Sequence, residues 1–270
     1  MQPLSKFTSC LNQRTSYTLL RLIRTVTTPI PLVQTRIRQM ATSRPTSEQL
    51  KTLRNYTACD IADALVKLNV PNAGFLADLK LITPSPSRLS SEVTIAPAST
   101  VLFRPKIGTP DGFPAANIPS DQHYVDRTQP ETIVVIQQPE GQICAVLGGI
   151  MALRMKVLNA KGVVVSGRVR DVVELESTGL PIWAKATSIV GTALEAKPHA
   201  VQVPLVIGGT KVTPGDLVFS DTTNGVVVIP QDRIAEVISL LPGLVEADDQ
   251  VKGDVSIGMT VQEAFKTHRR

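Results

Sequence analysis

An arginine and an aspartate stand side by side at positions 170 and 171, and a glutamate follows at 174. An arginine fork can grip a carboxylate or an enolate oxygen. An aspartate is an oxygen ligand suited to a hard divalent cation such as Mg²⁺. If a helix starts at Arg170, Asp171 and Glu174 share a face of it. Two carboxylates on one face beside an arginine are unfavourable unless a cation or a water network joins them. Upstream, Gly148-Gly149 sits where an apolar run meets a segment of helical period. Without a Cβ, a glycine lets a ligand approach the backbone. The N–H groups of Gly149, Ile150 and Met151 at a helix start can receive a carboxylate. Each feature also has a plain structural reading: Asp171 as a helix cap, Glu174 in solvent, Arg170 in a local pair, and the glycines in a tight packing contact. Spacing alone leaves both readings open. The dinucleotide pattern GxGxxG is absent from LGGIMALR, which disfavours a nucleotide cofactor and a methyltransferase.

The elements that must position these residues follow from periodicity. Apolar runs predict strands over 132–137, 143–147, 162–166 and 182–184, with helices over 149–158 and 170–177 between them. Gly167-Arg168 reads as a turn closing the third of these strands. Alternation of strand and helix argues for an α/β layer with parallel pairing, in which ligands bind beyond the carboxyl ends of strands. Before it, Thr46-Ser47-Glu48-Gln49 opens a helix to about 55, and a second covers 57–68 with Ile61, Ala64, Leu65 and Leu68 on one stripe. Asp60 and Asp63 in CDIADAL could be ligands, but carboxylates near a helix start read first as caps or solvated acids. Residues 80–105 are β-like, and 108–121 form a Pro- and Gly-rich loop long enough for a lid or an edge excursion. Residues 201–230 return to strands with tight turns, and helices follow over 231–241 and 244–252. One domain over 45–265 accounts for the pattern.

Composition narrows the function. The chain has 270 residues and a formal charge of +5, but Lys6, Arg14, Arg21, Arg24, Arg36, Arg38 and Arg44 face no acid before Glu48. Removing those seven from 28 basic residues leaves 21 against 23 acidic ones, so the body lacks the basic face nucleic acid requires. No apolar run is long enough to span a membrane. Cys10, Cys59 and Cys144 are far apart and form no disulfide framework, and His123, His199 and His268 lack metal-ligand spacing. Residues 1–40, rich in Arg, Ser and Thr, read as a mitochondrial transit peptide. The alternative is a disordered tail, with translation from Met40 and a cytoplasmic protein.

The motifs GGIMALRMKVLNAKGVVVSGRVRD, LPIWAKATS, PGDLVFSD and NGVVVIP, with CDIADAL near the start, resemble the family joining class II 4-hydroxy-4-methyl-2-oxoglutarate aldolases to regulator-of-ribonuclease-activity-A-like proteins. The resemblance covers most of residues 48–265. It implies a β/β/α swivelling-domain-like sandwich with terminal helices, assembled as a homotrimer or hexamer with sites between subunits. It also implies a carbon–carbon lyase, dependent on Mg²⁺ or Mn²⁺, that acts on a small 2-oxo acid through a pyruvate enolate. The reaction would be oxaloacetate decarboxylation, cleavage of 4-hydroxy-4-methyl-2-oxoglutarate-type substrates to pyruvate, or both. In this reading the backbone of Gly148, Gly149, Ile150 and Met151 holds the pyruvyl end. Arg170 binds substrate, Asp171 holds the metal, and Glu174 reaches it through a water. Many bacterial aldolases of the family carry an Asp where this chain has Gly149, and Glu174 would replace that acid. A neighbouring subunit's C-terminal helix would add a further acid, Asp248 or else Asp249 or Glu246. Some relatives instead bind a ribonuclease, so a non-catalytic protein-binding regulator is the alternative.

Overall fold

Two runs of valine and isoleucine lie side by side at the centre of the molecule, β3 (Ile133–Gln137) and β5 (Gly162–Val169). They pair in parallel, Val135 opposite Val164. Runs without polar alternation are what a strand buried on both faces requires, and Val134, Val135, Val163, Val164 and Val165 are fully buried. The computed structural model describes residues 44–85 and 93–269, and the basic segment read as a transit peptide lies outside them.

The sheet grows outward from this pair. β6 (Ile182–Thr187) adds in parallel to β5, and β1 (Lys80–Thr83) adds antiparallel to β6. On the other side the long β2 (Val93–Pro105) pairs in parallel with β3. Its first half pairs antiparallel with β10 (Leu217–Asp221), which pairs with β11 (Gly225–Ile229). Its second half pairs with β7 (Ala196–Val201). The short β4 (Ala145–Leu147) lies parallel to the end of β5. Among the described residues this makes a nine-stranded mixed sheet, with a separate hairpin of β8 (Leu205–Ile207) and β9 (Thr210–Val212).

Strand alternation sorts the core into layers. Val134, Ile136, Val163 and Val165 face α3 (Gly149–Val157) and α4 (Val172–Ser177), where Ala152, Met155 and Leu175 complete one cluster. Ile133, Val135, Val164 and Trp183 face Leu205, Ile207, Val212, Val218 and Val228 in a second. The other side of β10 and β11, with Phe219, Val227 and Ile229, is covered by α1 (Ser47–Leu53), α2 (Ala58–Lys67) and α5 (Ile234–Ser256). The architecture is a mixed α/β sandwich with a curled sheet and C-terminal helices, as the fold-class reading expects.

Several boundaries differ from the periodicity reading. β5 does not stop at Ser166 but runs through Gly167 and Arg168 to Val169. Pairing with β6 shifts register between Val165 and Arg168. At that irregularity the buried Gln138 accepts from Arg168 N at 2.9 Å and donates to Cys144 O at 2.8 Å. A Cβ on Gly167 would stand 2.2 Å from Gln138 Oε1, so the residue taken for a turn marker is a close-approach site. α4 begins at Val172, not Arg170. The two expected C-terminal helices are one, α5, running through Pro242. That proline is exposed, so the carbonyl deprived of its partner can be hydrated, and burial of Val237, Leu241 and Val251 keeps the helix together. A further helix, α6 (Val261–His268), starts from a Thr260–Glu263 capping box that periodicity did not single out. The 108–121 loop is an edge excursion. Asn117 exchanges side-chain bonds with both backbone groups of Val201, and His199 Nε2 lies 2.7 Å from Pro114 O.

Candidate functional site

β4 and β5 run in parallel and end together, because Arg170 N donates to Leu147 O at 3.0 Å. Each then enters a helix, and the glycine pair of one meets the Arg-Asp pair of the other. Gly148 is the N-cap of α3 in extended conformation, without a side chain to satisfy the helix's first N–H groups. Gly149 N donates instead to Asp171 Oδ2, at 3.3 Å.

Asp171 occupies the N-cap position of α4 yet does not cap it. Its backbone is left-handed, φ 61° and ψ 46°, and its side chain makes no bond to α4. Aspartate tolerates this region better than most residues, but the conformation costs of order 1 kcal/mol or more. The strain turns the carboxylate toward α3, beside the Arg170 guanidinium, whose Nε is 3.5 Å from Asp171 Oδ2. The plain reading of Asp171 as an ordinary helix cap therefore does not describe it, whereas Asp60 does cap α2, through a box with Thr57.

The glycines fit these side chains closely. A Cβ on Gly148 would lie 2.7 Å from Asp171 Oδ2 and 3.4 Å from Arg170 Cγ. A Cβ on Gly149 would lie 1.9 Å from Glu174 Oε2, so the glutamate fills the space of an absent side chain at 149. A Cβ on Gly191 would lie 2.9 Å from Arg170 Nη1. Arg170, Asp171 and Glu174 are all partly open to solvent.

A cavity of 440 Å³ opens here. Its lining comes from two strand pairs. The β4–β5 pair and the start of α3 give Ala145 to Gly148, Ile150, Met151, Arg170 and Asp171. The β2–β7 pair gives Phe103, Ala196, Lys197 and Pro198, with Lys106 just past β2. Tyr124 closes one side. It is buried, packs edge-on against Phe103, and donates to Val146 O at 3.1 Å, bracing β4. Burial pushes its phenol far above the usual range, so it acts as a neutral donor. Thr192 Oγ1 donates to Ala145 O at 2.7 Å, and Glu195 Oε2 accepts from the N–H groups of Ile143 and Cys144 at 2.7 and 3.0 Å.

The structure thus brings together Gly148, Gly149, Ile150, Met151, Arg170 and Asp171, with Glu174 against Gly149. It does not bring Asp248 to this cavity within the chain. Asp248 accepts from Arg269 Nε and Nη2 at 3.0 and 2.6 Å, and Asp249 from Lys252 at 3.1 Å. The expectation placed Asp248 in a neighbouring subunit's contribution. Lys106, Lys197, His123, Tyr124 and Thr192 are cavity residues that spacing did not single out. They lie 22 to 42 residues from the nearer of Gly148 and Arg170, and nothing local in their sequence marks them.

Among the described residues no three His, Cys, Asp or Glu side chains group as a complete metal site. Asp171 and Glu174 nonetheless offer two carboxylates around Gly148-Gly149, an all-oxygen set. This suits a cation such as Mg²⁺, which keeps several waters and uses one or two carboxylates.

Comparison with known proteins shows the family to which the chain belongs. The matched part of the chain spans 33% of the length of DlpA from Legionella pneumophila, with 29% identity over 216 residues, 80% of this chain. It spans 52% of a 4-hydroxy-4-methyl-2-oxoglutarate aldolase from Thermus thermophilus, with 36% identity over 87 residues, 32% of this chain. The crystal structure of an uncharacterized protein from Pseudomonas syringae superposes with a TM-score of 0.64 at 24% identity, covering 82% of this chain and 98% of that one, which establishes the fold. A family profile described as RraA-like, Aldolase/RraA, matches residues 58–228, from the start of α2 into β11 and across β4, α3, β5 and α4. On that match the chain belongs to the RraA-like aldolase/RraA family.

Proposed function

We propose that the cavity at the ends of β4 and β5 is the active site of a divalent-metal-dependent carbon–carbon lyase acting on 2-oxo acids. The reaction would be decarboxylation of oxaloacetate, cleavage of 4-hydroxy-4-methyl-2-oxoglutarate-type substrates, or both, each releasing pyruvate. The family includes 4-hydroxy-4-methyl-2-oxoglutarate aldolases, and its aldolases typically require a divalent metal. The observation that carries the reading is Asp171. Its strained backbone and lack of a capping bond have no structural return within α4, but they aim a carboxylate at the glycine pair beside Arg170.

Asp171 would hold the cation directly, and Glu174 would hold a water on it from the space beside Gly149. A cation held by these residues would supply Lewis-acid chemistry to a bound 2-oxo acid. Arg170 supplies a fixed positive charge to the oxygen on which negative charge develops as the carbon–carbon bond breaks. The open N–H groups at the start of α3 orient the substrate carboxylate. Val146, Leu147, Phe103 and Met151 give the cavity an apolar wall beside these charges.

Two carboxylates leave the metal with few protein ligands, and we place the missing acid on a second copy of this chain. The outer face of α3 supports that placement. Ile150, Leu153 and Val157 are 73%, 57% and 66% exposed at helical spacing on α3, and Val173 of α4 is 83% exposed. An apolar stripe at the mouth of a cavity is an association surface, consistent with a homotrimer.

The test is pyruvate release by purified protein from oxaloacetate and from 4-hydroxy-2-oxo acids, with Mg²⁺, with chelator, and against a metal-only background. Rates indistinguishable from that background for every substrate would end the proposal. Arg170→Ala and Asp171→Ala are expected each to lower the rate by roughly 10²–10³ or more while leaving the folded state intact. Full activity in either variant would remove the role assigned to it.

A further inference from the structure

We infer that a second cavity, at the carboxyl ends of β3, β5 and β6, is a binding site for a small oxyanion, a phosphate or a carboxylate. It measures 370 Å³ and shares no lining residue with the cavity of Arg170 and Asp171. Ligands of open α/β sheets bind beyond these strand ends. The inference does not depend on the lyase reading.

The residue that points to a ligand is Ser166. It is 6% exposed and lines this cavity, and its hydroxyl makes no hydrogen bond among the described residues. A hydroxyl so enclosed normally has a partner. Strand geometry brings a cation beside it. β5 and β6 run in parallel with Val164 opposite Trp183 and Val165 opposite Ala184. Val164 and Trp183 face the side of the sheet that packs on β8 and β9. Two residues further along each strand, Ser166 and Lys185 return to that side, and both line the cavity. Lys185 is half-buried and, among the described residues, has neither an ion pair nor a hydrogen bond. Arg168 is the third donor. Its Nη1 donates to Thr187 O at 3.0 Å and its Nε to Gln142 O at 3.4 Å, which holds the guanidinium in place. Three of its five N–H groups are left for a ligand. One acid, Glu140, also lines the cavity, from the exposed turn after β3, and among the described residues it pairs with neither cation. A hydroxyl, an ammonium and a guanidinium around one enclosed space are the donors an oxyanion accepts from.

Calorimetric titration of the full chain with inorganic phosphate and with acetate, at one ionic strength set with KCl, reads the binding. The anion that binds more tightly identifies the ligand as a phosphoryl group or a carboxylate. A Ser166→Ala/Lys185→Gln double variant should weaken that anion by about tenfold or more. Glu140→Gln should tighten it, because a like charge is removed. Without the anion, Ser166→Ala should keep the urea midpoint of the wild type, since its hydroxyl has no protein partner to lose. The extra stability that the anion gives the wild type should shrink in that variant. Arg170→Ala should bind the anion as the wild type does. Loss of binding in Arg170→Ala with retention in the double variant would move the anion to the first cavity and overturn the inference. So would a wild type that binds neither anion, or a double variant of unchanged affinity.

Discussion

Glu174 and Gly149 exchange roles across a helix boundary. A side chain at 149 and the Glu174 carboxylate cannot occupy the same space, since a Cβ there would meet Oε2 at 1.9 Å. If the site needs one acid in that space, it can come from either position. We expect Glu174→Ala to reduce pyruvate release by about 10²-fold, and Gly149→Asp added to it to restore part of the loss. Gly149→Asp alone should harm, because it displaces Glu174. A double variant no better than Glu174→Ala would show that the space beside Gly149 is not where the acid acts. Sequence spacing presented Glu174 as a helical neighbour of Asp171. That it also lies against Gly149, 25 positions upstream, depends on the packing of α3 on α4 and could not be read from either segment.

At the scale of elements, Gln138 joins the two strands that deliver the site. Its amide donates to Cys144 O ahead of β4 and accepts from Arg168 N in β5, while 3% exposed. Gln138→Ala leaves both backbone groups buried without partners and opens a cavity. The cost should be about 2–4 kcal/mol of unfolding free energy in urea denaturation. KM should also rise as Arg170 loses its alignment. Unchanged stability would mean that water replaces the amide fully. A second element-level link runs from β10 to α2, where Asp221 accepts from Ala58 N at 3.0 Å and from Asn224 Nδ2 at 2.8 Å. Burial pushes the Asp221 carboxyl up, but bonds from the Asn224 side chain and from the Ala58, Thr223 and Asn224 amides outweigh it and hold its pKa below the usual value. Its stabilisation is therefore present above the ordinary carboxylate range and lost as pH falls through the depressed value. Between about pH 5 and pH 2.5 the melting temperature should fall less steeply in Asp221→Asn than in the wild type. Parallel curves would exclude this residue as a source of acid lability.

For the whole molecule, the proposed second copy on the exposed α3 stripe would tie assembly to activity. Leu153→Lys puts a charge in the middle of Ile150, Leu153 and Val157 without entering the cavity lining. In light scattering the variant should run as a monomer where the wild type is larger. Pyruvate release should fall with assembly, because the acid proposed to come from a neighbouring copy would be withdrawn. A variant that still associates as the wild type does would place the seam elsewhere. Among the described residues no helix is long and apolar enough to cross a membrane.

The sequence by itself determined which segments are strands and helices in the central stretch, because buried runs such as IVVIQ and GVVVSGRV have one inexpensive conformation in a parallel sheet. It also marked Gly148-Gly149 and Arg170-Asp171 as chemically capable. It misplaced ends where tertiary contacts override local signals. Gly167 looked like a turn but lies inside β5 because Gln138 fills the space above it, and Pro242 looked like a break but sits on the wet side of a packed helix. Only the tertiary structure decided that Asp171 turns away from its own helix and that Glu174 fills the gap at Gly149. It alone brought Lys106, Lys197, His123 and Tyr124 into the same cavity. The reason is physical. Strand order and helix packing set these neighbours across long stretches of chain, and such long-range pairing leaves no trace in local composition or period.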